Sequence, residues 1–143
     1  MAAILLFLLW PLLSALPGTS HLPSEPSPSL SILGSYRGTV FDSGRLTKIT
    51  TTFSLGPDGR LQGTFVYEGP MGPIEGNMGN LRWKSRRTLT GHWEDIHGRG
   101  NFQFQFNERS KAFEGHWGPD QDLPLFPWTG RRLEPEAPPQ KTP

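Results

Sequence analysis

The stretch 89–118, LTGHWEDIHGRGNFQFQFNERSKAFEGHWG, restricts this chain more than any other. Phe102-Gln103-Phe104-Gln105-Phe106 alternates apolar and polar residues without a break. Successive side chains of a strand point to opposite faces, so the phenyl rings share one face and the glutamines the other. Gly91-His92-Trp93 and Gly115-His116-Trp117 flank this run as two copies of one phrase. Turn residues separate the runs at 95–98 and at Glu108-Arg109-Ser110. The spacing predicts three consecutive antiparallel strands with one aromatic face and one polar face.

The same grammar runs through the chain. Residues 34–40 alternate small or apolar residues with polar ones, and Asp42-Ser43-Gly44 is a turn signal. In 47–55, Ile49, Thr51, Phe53 and Leu55 share a face, and the β-branched content favours strand. Gly56-Pro57-Asp58-Gly59 marks a hairpin turn, after which Leu61, Gly63, Phe65 and Tyr67 point inward. The run 74–83 switches face, since Ile74, Gly76 and Met78 are even and Leu81 and Trp83 odd. A one-residue shift reverses the faces, so a bulge at Gly79-Asn80 is expected; a tight Gly-Asn hairpin there is the alternative and adds a strand. Leu89, Gly91 and Trp93, then Phe113, Gly115 and Trp117, then Phe126, Trp128 and Gly130 complete the inward set.

Eight short strands joined by short turns, with no helical stretch between them, give an all-β antiparallel meander. Such a sheet exposes two edges unless it closes on itself, and eight strands suit an up-and-down barrel filled by side chains or one small ligand. A two-layer β-sandwich is the alternative.

The flanks differ from this core. Residues 1–20 hold the apolar run Ile4-Leu5-Leu6-Phe7-Leu8-Leu9-Trp10 and small residues near Gly18, as a secretory signal does. The run is shorter than the roughly 20 residues that span a bilayer, so no membrane association is expected once the signal is removed. Residues 21–33 read as a Pro/Ser-rich linker, 34–133 as the barrel domain and 134–143 as a disordered Pro-rich tail. A secreted, extracellular protein is expected. With no Cys among its 143 residues, it gains nothing from disulfides and no thiol chemistry is open to it. A net charge of +1 argues against a dedicated nucleic-acid partner.

Pro57-Asp58-Gly59-Arg60-Leu61-Gln62-Gly63-Thr64-Phe65 resembles the second hairpin of the avidin and streptavidin family, and Gly34-Ser35-Tyr36 fits that family's opening Gly-x-aromatic. The likeness extends as architecture over 34–132 and implies an eight-stranded barrel with biotin at its mouth. Two of that family's polar positions differ here. Gly38 stands where the family has Asn on the first strand, and Phe65 where it has a Tyr hydroxyl. A ureido group buried without those partners loses hydrogen bonds worth roughly 1–3 kcal/mol each, so the resemblance supports the fold and not the ligand.

The aromatic face is the candidate site. Tyr36, Tyr67, Trp93, Trp117 and Trp128 are the candidate ligand-binding residues, with the polar tips of Tyr67, Trp93 and Trp117 as candidate ligand donors. The leading expectation is a non-enzymatic binding module holding a small hydrophobic or aromatic ligand at the barrel mouth. A solid-core interaction domain acting through its polar outer strand faces is the alternative. Oligomerisation is open.

Alternation sends His92 and His116 outward, and the strand between them sets them about 10 Å apart, too far to share a metal ion. Asp95 and His97 resemble two members of a hydrolase triad, but no Gly-x-Ser-x-Gly elbow accompanies them. Asp120 and Asp122 read as loop carboxylates, which a cleft shared with Asp95 and His97 could recruit to catalysis. Arg82, Lys84, Arg86 and Arg87 read as a charged strand edge or a polyanion patch. No catalytic residue, metal site or cofactor is expected.

Overall fold

The computed structural model describes Gly18 and residues 27–120, 122–135 and 139–140. Apart from Gly18, the signal-like segment lies outside the described residues, as do 21–26 of the linker and part of the tail.

Inward aromatic residues pair with glycines on neighbouring strands. Phe53 lies opposite Gly63, Phe65 opposite Gly76, Phe102 opposite Gly91, Phe104 opposite Gly115 and Phe113 opposite Gly130. A β-carbon at Gly76 would overlap the Phe65 ring, one at Gly115 the Phe104 ring, and one at Gly130 the Phe113 ring. The recurring Gly-x-aromatic phrase therefore supplies a ring to fill the interior and a bare backbone against which the next ring lies.

These pairs close eight antiparallel strands into a barrel: β1 (Gly34–Asp42), β2 (Arg45–Leu55), β3 (Leu61–Gly69), β4 (Gly72–Trp83), β5 (Thr88–Asp95), β6 (Gly98–Phe106), β7 (Ala112–Pro119) and β8 (Phe126–Arg132). Each strand pairs with the next in sequence, and β8 returns to β1 through Val40 and Trp128. The meander barrel expected from the sequence is the fold, and closure leaves no free sheet edge. The face switch in β4 is a bulge between Gly79 and Arg82, not an added hairpin. Asn80 takes a positive φ of 50° there, a conformation Asn tolerates better than most residues. Ser43 and Gly44 join β1 to β2 with φ of 49° and 81°, the left-handed pair that a two-residue turn matched to strand twist requires.

Odd-to-even connections lie at one end of the barrel and even-to-odd connections at the other. The second end is closed. Ring contacts fill it: Phe104 stacks on Phe113 at 4.2 Å, and Tyr36 packs edge-on to Phe53 and Phe106, both at 5.9 Å. The described part of the segment before β1 covers this end. Pro28–Ser31 forms one helical turn, α1, and Ile32 behind it is 1% exposed. The Trp83 indole donates to the Ser29 hydroxyl at 2.9 Å, and Arg132 donates to the Ser31 carbonyl. Pro28 starts the turn at a position where its missing N–H costs nothing, and Ile32 then fills the barrel base.

Candidate functional site

The other end is open. A cavity of about 240 Å³ lies inside it. Buried Val40, Ile49, Phe65, Tyr67, Trp93 and Trp128 line it, with Phe41, Trp117, Asp42, Asp95, His97 and Pro119 also on its wall. Alternation places the rings inside; the ends of β1, β3, β5 and β7 bring the polar groups to the rim. The interior is thus solid in one half and hollow in the other, a division that the pattern of the strands does not encode.

Tyr67, Trp93, Trp117 and Trp128 line the cavity as the sequence reading placed them. Tyr36 does not. It sits at the closed end, 0% exposed, where its hydroxyl lies 3.0 Å from the Ile32 carbonyl and 2.9 Å from that of Ser110. Arg132 donates to the same hydroxyl at 2.7 Å, and its guanidinium carbon lies 5.2 Å from the ring centroid. Its place near the start of β1 puts Tyr36 at the end opposite the mouth, so it anchors the plug and cannot reach a ligand there.

The aromatic polar tips are engaged in a way the sequence does not reveal. The Tyr67 hydroxyl on β3 donates to Asp95 Oδ2 on β5 at 2.9 Å. The Trp93 indole on β5 donates to the Gly118 carbonyl on β7 at 3.0 Å, and the Trp117 indole on β7 donates to the Phe41 carbonyl on β1 at 3.0 Å. Each bond skips one strand, so together they girdle the mouth from β3 through β5 and β7 to β1. Below them the Trp128 indole donates to Thr51 Oγ1 at 3.0 Å, linking β8 to β2. The hydroxyl and indole hydrogens of Tyr67, Trp93 and Trp117, read from the sequence as candidate ligand donors, are thus engaged within the rim, and their rings line the cavity.

Asp95 also organises its hairpin. Its Oδ1 accepts from the His97 backbone N–H at 2.8 Å and the Gly98 N–H at 3.2 Å, a local turn closure typical of Asp. Burial raises the Tyr67 hydroxyl well above the usual phenol range, and the Asp95 hydrogen bond and the Asp95 and Asp42 charges push it further in the same direction. Asp42, read from sequence as a turn residue, thus belongs to the mouth. Its place next to Ser43-Gly44 at the tip of an inward-facing strand is the signal that pointed there. Phe41 and Pro119 were likewise missed, because both lie just beyond the alternating runs that the sequence marks as strands.

Exposed apolar residues stand around this end on separate connections: Leu46 after the first turn, Met71 and Ile96 at two hairpin tips, and Leu123 and Leu125 in the last loop. Turns at the closed end carry Asp58, Arg60, Lys84, Arg86, Arg87, Glu108 and Arg109 instead.

The histidines of the two repeated phrases face outward, as alternation requires, and His92 Nδ1 pairs with the Asn80 side chain at 3.2 Å. Among the described residues no cluster of three His, Asp or Glu side chains is placed to hold a metal ion. The mouth brings Asp95 and His97 together but not Asp120, and the Asp122 backbone N–H bonds Pro119 in the neighbouring loop. No family model matches the chain, and neither a curated protein nor a solved structure does.

Proposed function

We propose that this protein is a secreted, non-enzymatic binding module that holds a small hydrophobic or aromatic ligand in the open end of its barrel. The observation that carries the reading is the cavity of about 240 Å³, walled by aromatic rings and entered at one end only. Ligand sites are concave, mostly apolar and largely pre-formed, with a few placed polar groups. The girdle of Tyr67, Trp93 and Trp117 hydrogen bonds supports pre-formation, since it fixes ring positions before a ligand arrives.

Kinship with the avidin barrels is part of the proposal at the level of architecture, supported by the meander and its Gly-x-aromatic strands. Biotin is not proposed. A β-carbon at Gly38 would collide with the Thr129 backbone, so that position has no room for the Asn that the family places there. An enzymatic role draws no support from the wall of the mouth, where among the described residues no Ser, Cys or Lys lines the cavity with Asp95 and His97 to be activated.

The solid-core interaction domain draws its support from the filled lower half of the barrel. Calorimetric titration with 2-phenylethanol, followed in parallel by tryptophan emission, separates the two readings. Saturable binding that is lost in Trp117→Ala, at a half-buried rim position, is the expected result. If neither this neutral ring nor a charged analogue of it binds at millimolar concentration, the binding-module reading fails.

A further inference from the structure

The mouth is one-sided in its hydrogen bonding. Every side-chain donor on its wall but one has a partner within the protein: the indoles of Trp93, Trp117 and Trp128 on Gly118, Phe41 and Thr51, and Tyr67 on Asp95. The exception among the described residues is the imidazole of His97, which stands exposed at the rim. A guest carboxylate, ketone or urea oxygen entering this space therefore leaves its water behind without a replacement donor, at a cost of roughly 1–3 kcal/mol per group.

Acceptors are in surplus. The Asp42 carboxylate has no side-chain hydrogen bond or ion pair with any described residue. Asp95 Oδ2 accepts one bond, from Tyr67, and an ionised carboxylate offers about four lone-pair sites in all. Phe65, Trp93 and Trp117 line the same cavity, and the π-face of an aromatic ring carries the negative side of its quadrupole. Among the described residues no Lys or Arg lines the cavity, and Arg45 and Arg99 at the adjoining strand ends are exposed and form no ion pair with either carboxylate. The raised Tyr67 hydroxyl registers the same negative field from both Asp95 and Asp42.

We infer that the mouth takes a small organic cation, with its ammonium group between Asp42 and Asp95 and its apolar or aromatic body among Phe65, Trp93 and Trp117. The inference rests on the reading of the mouth as a ligand site and narrows the ligand class. A partly desolvated ammonium gains from both the carboxylates and the ring faces, an attraction that neutral and anionic guests of equal shape lack. The volume limits the guest to a single ring or a short branched chain.

Calorimetric titration of the folded protein with 2-phenylethylammonium, 2-phenylethanol and 3-phenylpropanoate, at neutral pH and low salt, tests this. The cation is expected to bind about tenfold or more tighter than the alcohol, with the anion weakest, and added salt should narrow the gap. Asp42→Asn keeps the side-chain shape and should remove most of the preference for the cation over the alcohol. Asp95→Asn, whose amide oxygen can still close the 95–98 turn, should reduce it too. Alcohol or anion binding as tight as the cation overturns the inference and leaves the binding module standing. A cation preference that survives both Asn variants overturns the assignment of the carboxylates. If none of the three binds, the inference and the binding-module reading fall together.

Discussion

The chain has two tyrosines, and the barrel places one at each end. Both are buried, both rings face inward and both hydroxyls are hydrogen-bonded, yet they serve opposite purposes. Tyr36 joins the plug to the barrel: Ile32, Ser110 and Arg132 converge on its hydroxyl from three separate segments. Tyr67 joins only β3 to the tip of β5, with a cavity on its inner side. One end is built to exclude space and the other to keep it. The difference lies in what covers each end: α1 and Ile32 enter one, while the mouth is ringed by connections that carry exposed apolar residues and leave the cavity open.

The sharpest way to break this comparison is to excavate the solid half. Phe104 is 0% exposed and touches Phe102, Phe113 and Trp128 at centroid distances of 4.6, 4.2 and 4.9 Å. Phe104→Ala should cost about 3–5 kcal/mol in urea denaturation, because a packed core relaxes only partly around the void. Its neighbour Gln105 faces solvent, and Gln105→Ala should change stability by no more than about 0.5 kcal/mol. Equal losses in the two variants would reverse the assignment of faces.

Next in size is the plug. Tyr36→Phe keeps the ring and its contacts but removes the hydroxyl to which Arg132 donates. Leaving part of a charged, partly buried group without its partner should cost about 1–3 kcal/mol in the same melts. Backbone hydrogen exchange should also accelerate in Ile32 and Leu33, since the hydroxyl reaches the Ile32 carbonyl. A loss of stability with no change in that exchange would mean that Tyr36 acts through the core alone and does not anchor the plug.

Alternation made the solid half legible from sequence. Phe102, Phe104, Phe106 and Phe113 fall on one face by period alone, and the buried set contains all four. The face switch in β4 showed equally, because Gly79-Asn80 breaks the period where Met78 and Leu81 disagree. The mouth was legible in its rings and not in its polarity. Trp93 and Trp117 each bond a backbone carbonyl two strands away, and a carbonyl carries no residue identity for a pattern to detect. The plug was hidden for a different reason: four residues between prolines and serines have no period, and only Ile32 against the finished barrel gives that helical turn a reason to form.

The smallest effect separates the tyrosines by chemistry. Tyr67→Phe should cost only about 0.5–1.5 kcal/mol, because the Asp95 carboxylate sits at an open rim where water can replace the lost phenol donor. Alkaline titration sharpens the contrast. Burial holds both hydroxyls above the usual phenol value, opposed by Arg132 at Tyr36 and reinforced by Asp95 and Asp42 at Tyr67. At pH values where a free phenol, with its pKa of about 10, is half ionised, the folded protein should still show the absorbance of neutral tyrosine. Below that pH neither state ionises and these groups add no pH dependence. Above it the unfolded chain releases protons that the folded chain retains, so stability should fall as pH rises. Urea midpoints at about pH 8 and about pH 10.5 measure the fall. Tyr67→Phe should flatten it more than Tyr36→Phe, because two carboxylates oppose ionisation of Tyr67 whereas Arg132 favours ionisation of Tyr36. A steeper share from Tyr36 would mean that the open end lacks the negative field assigned to it.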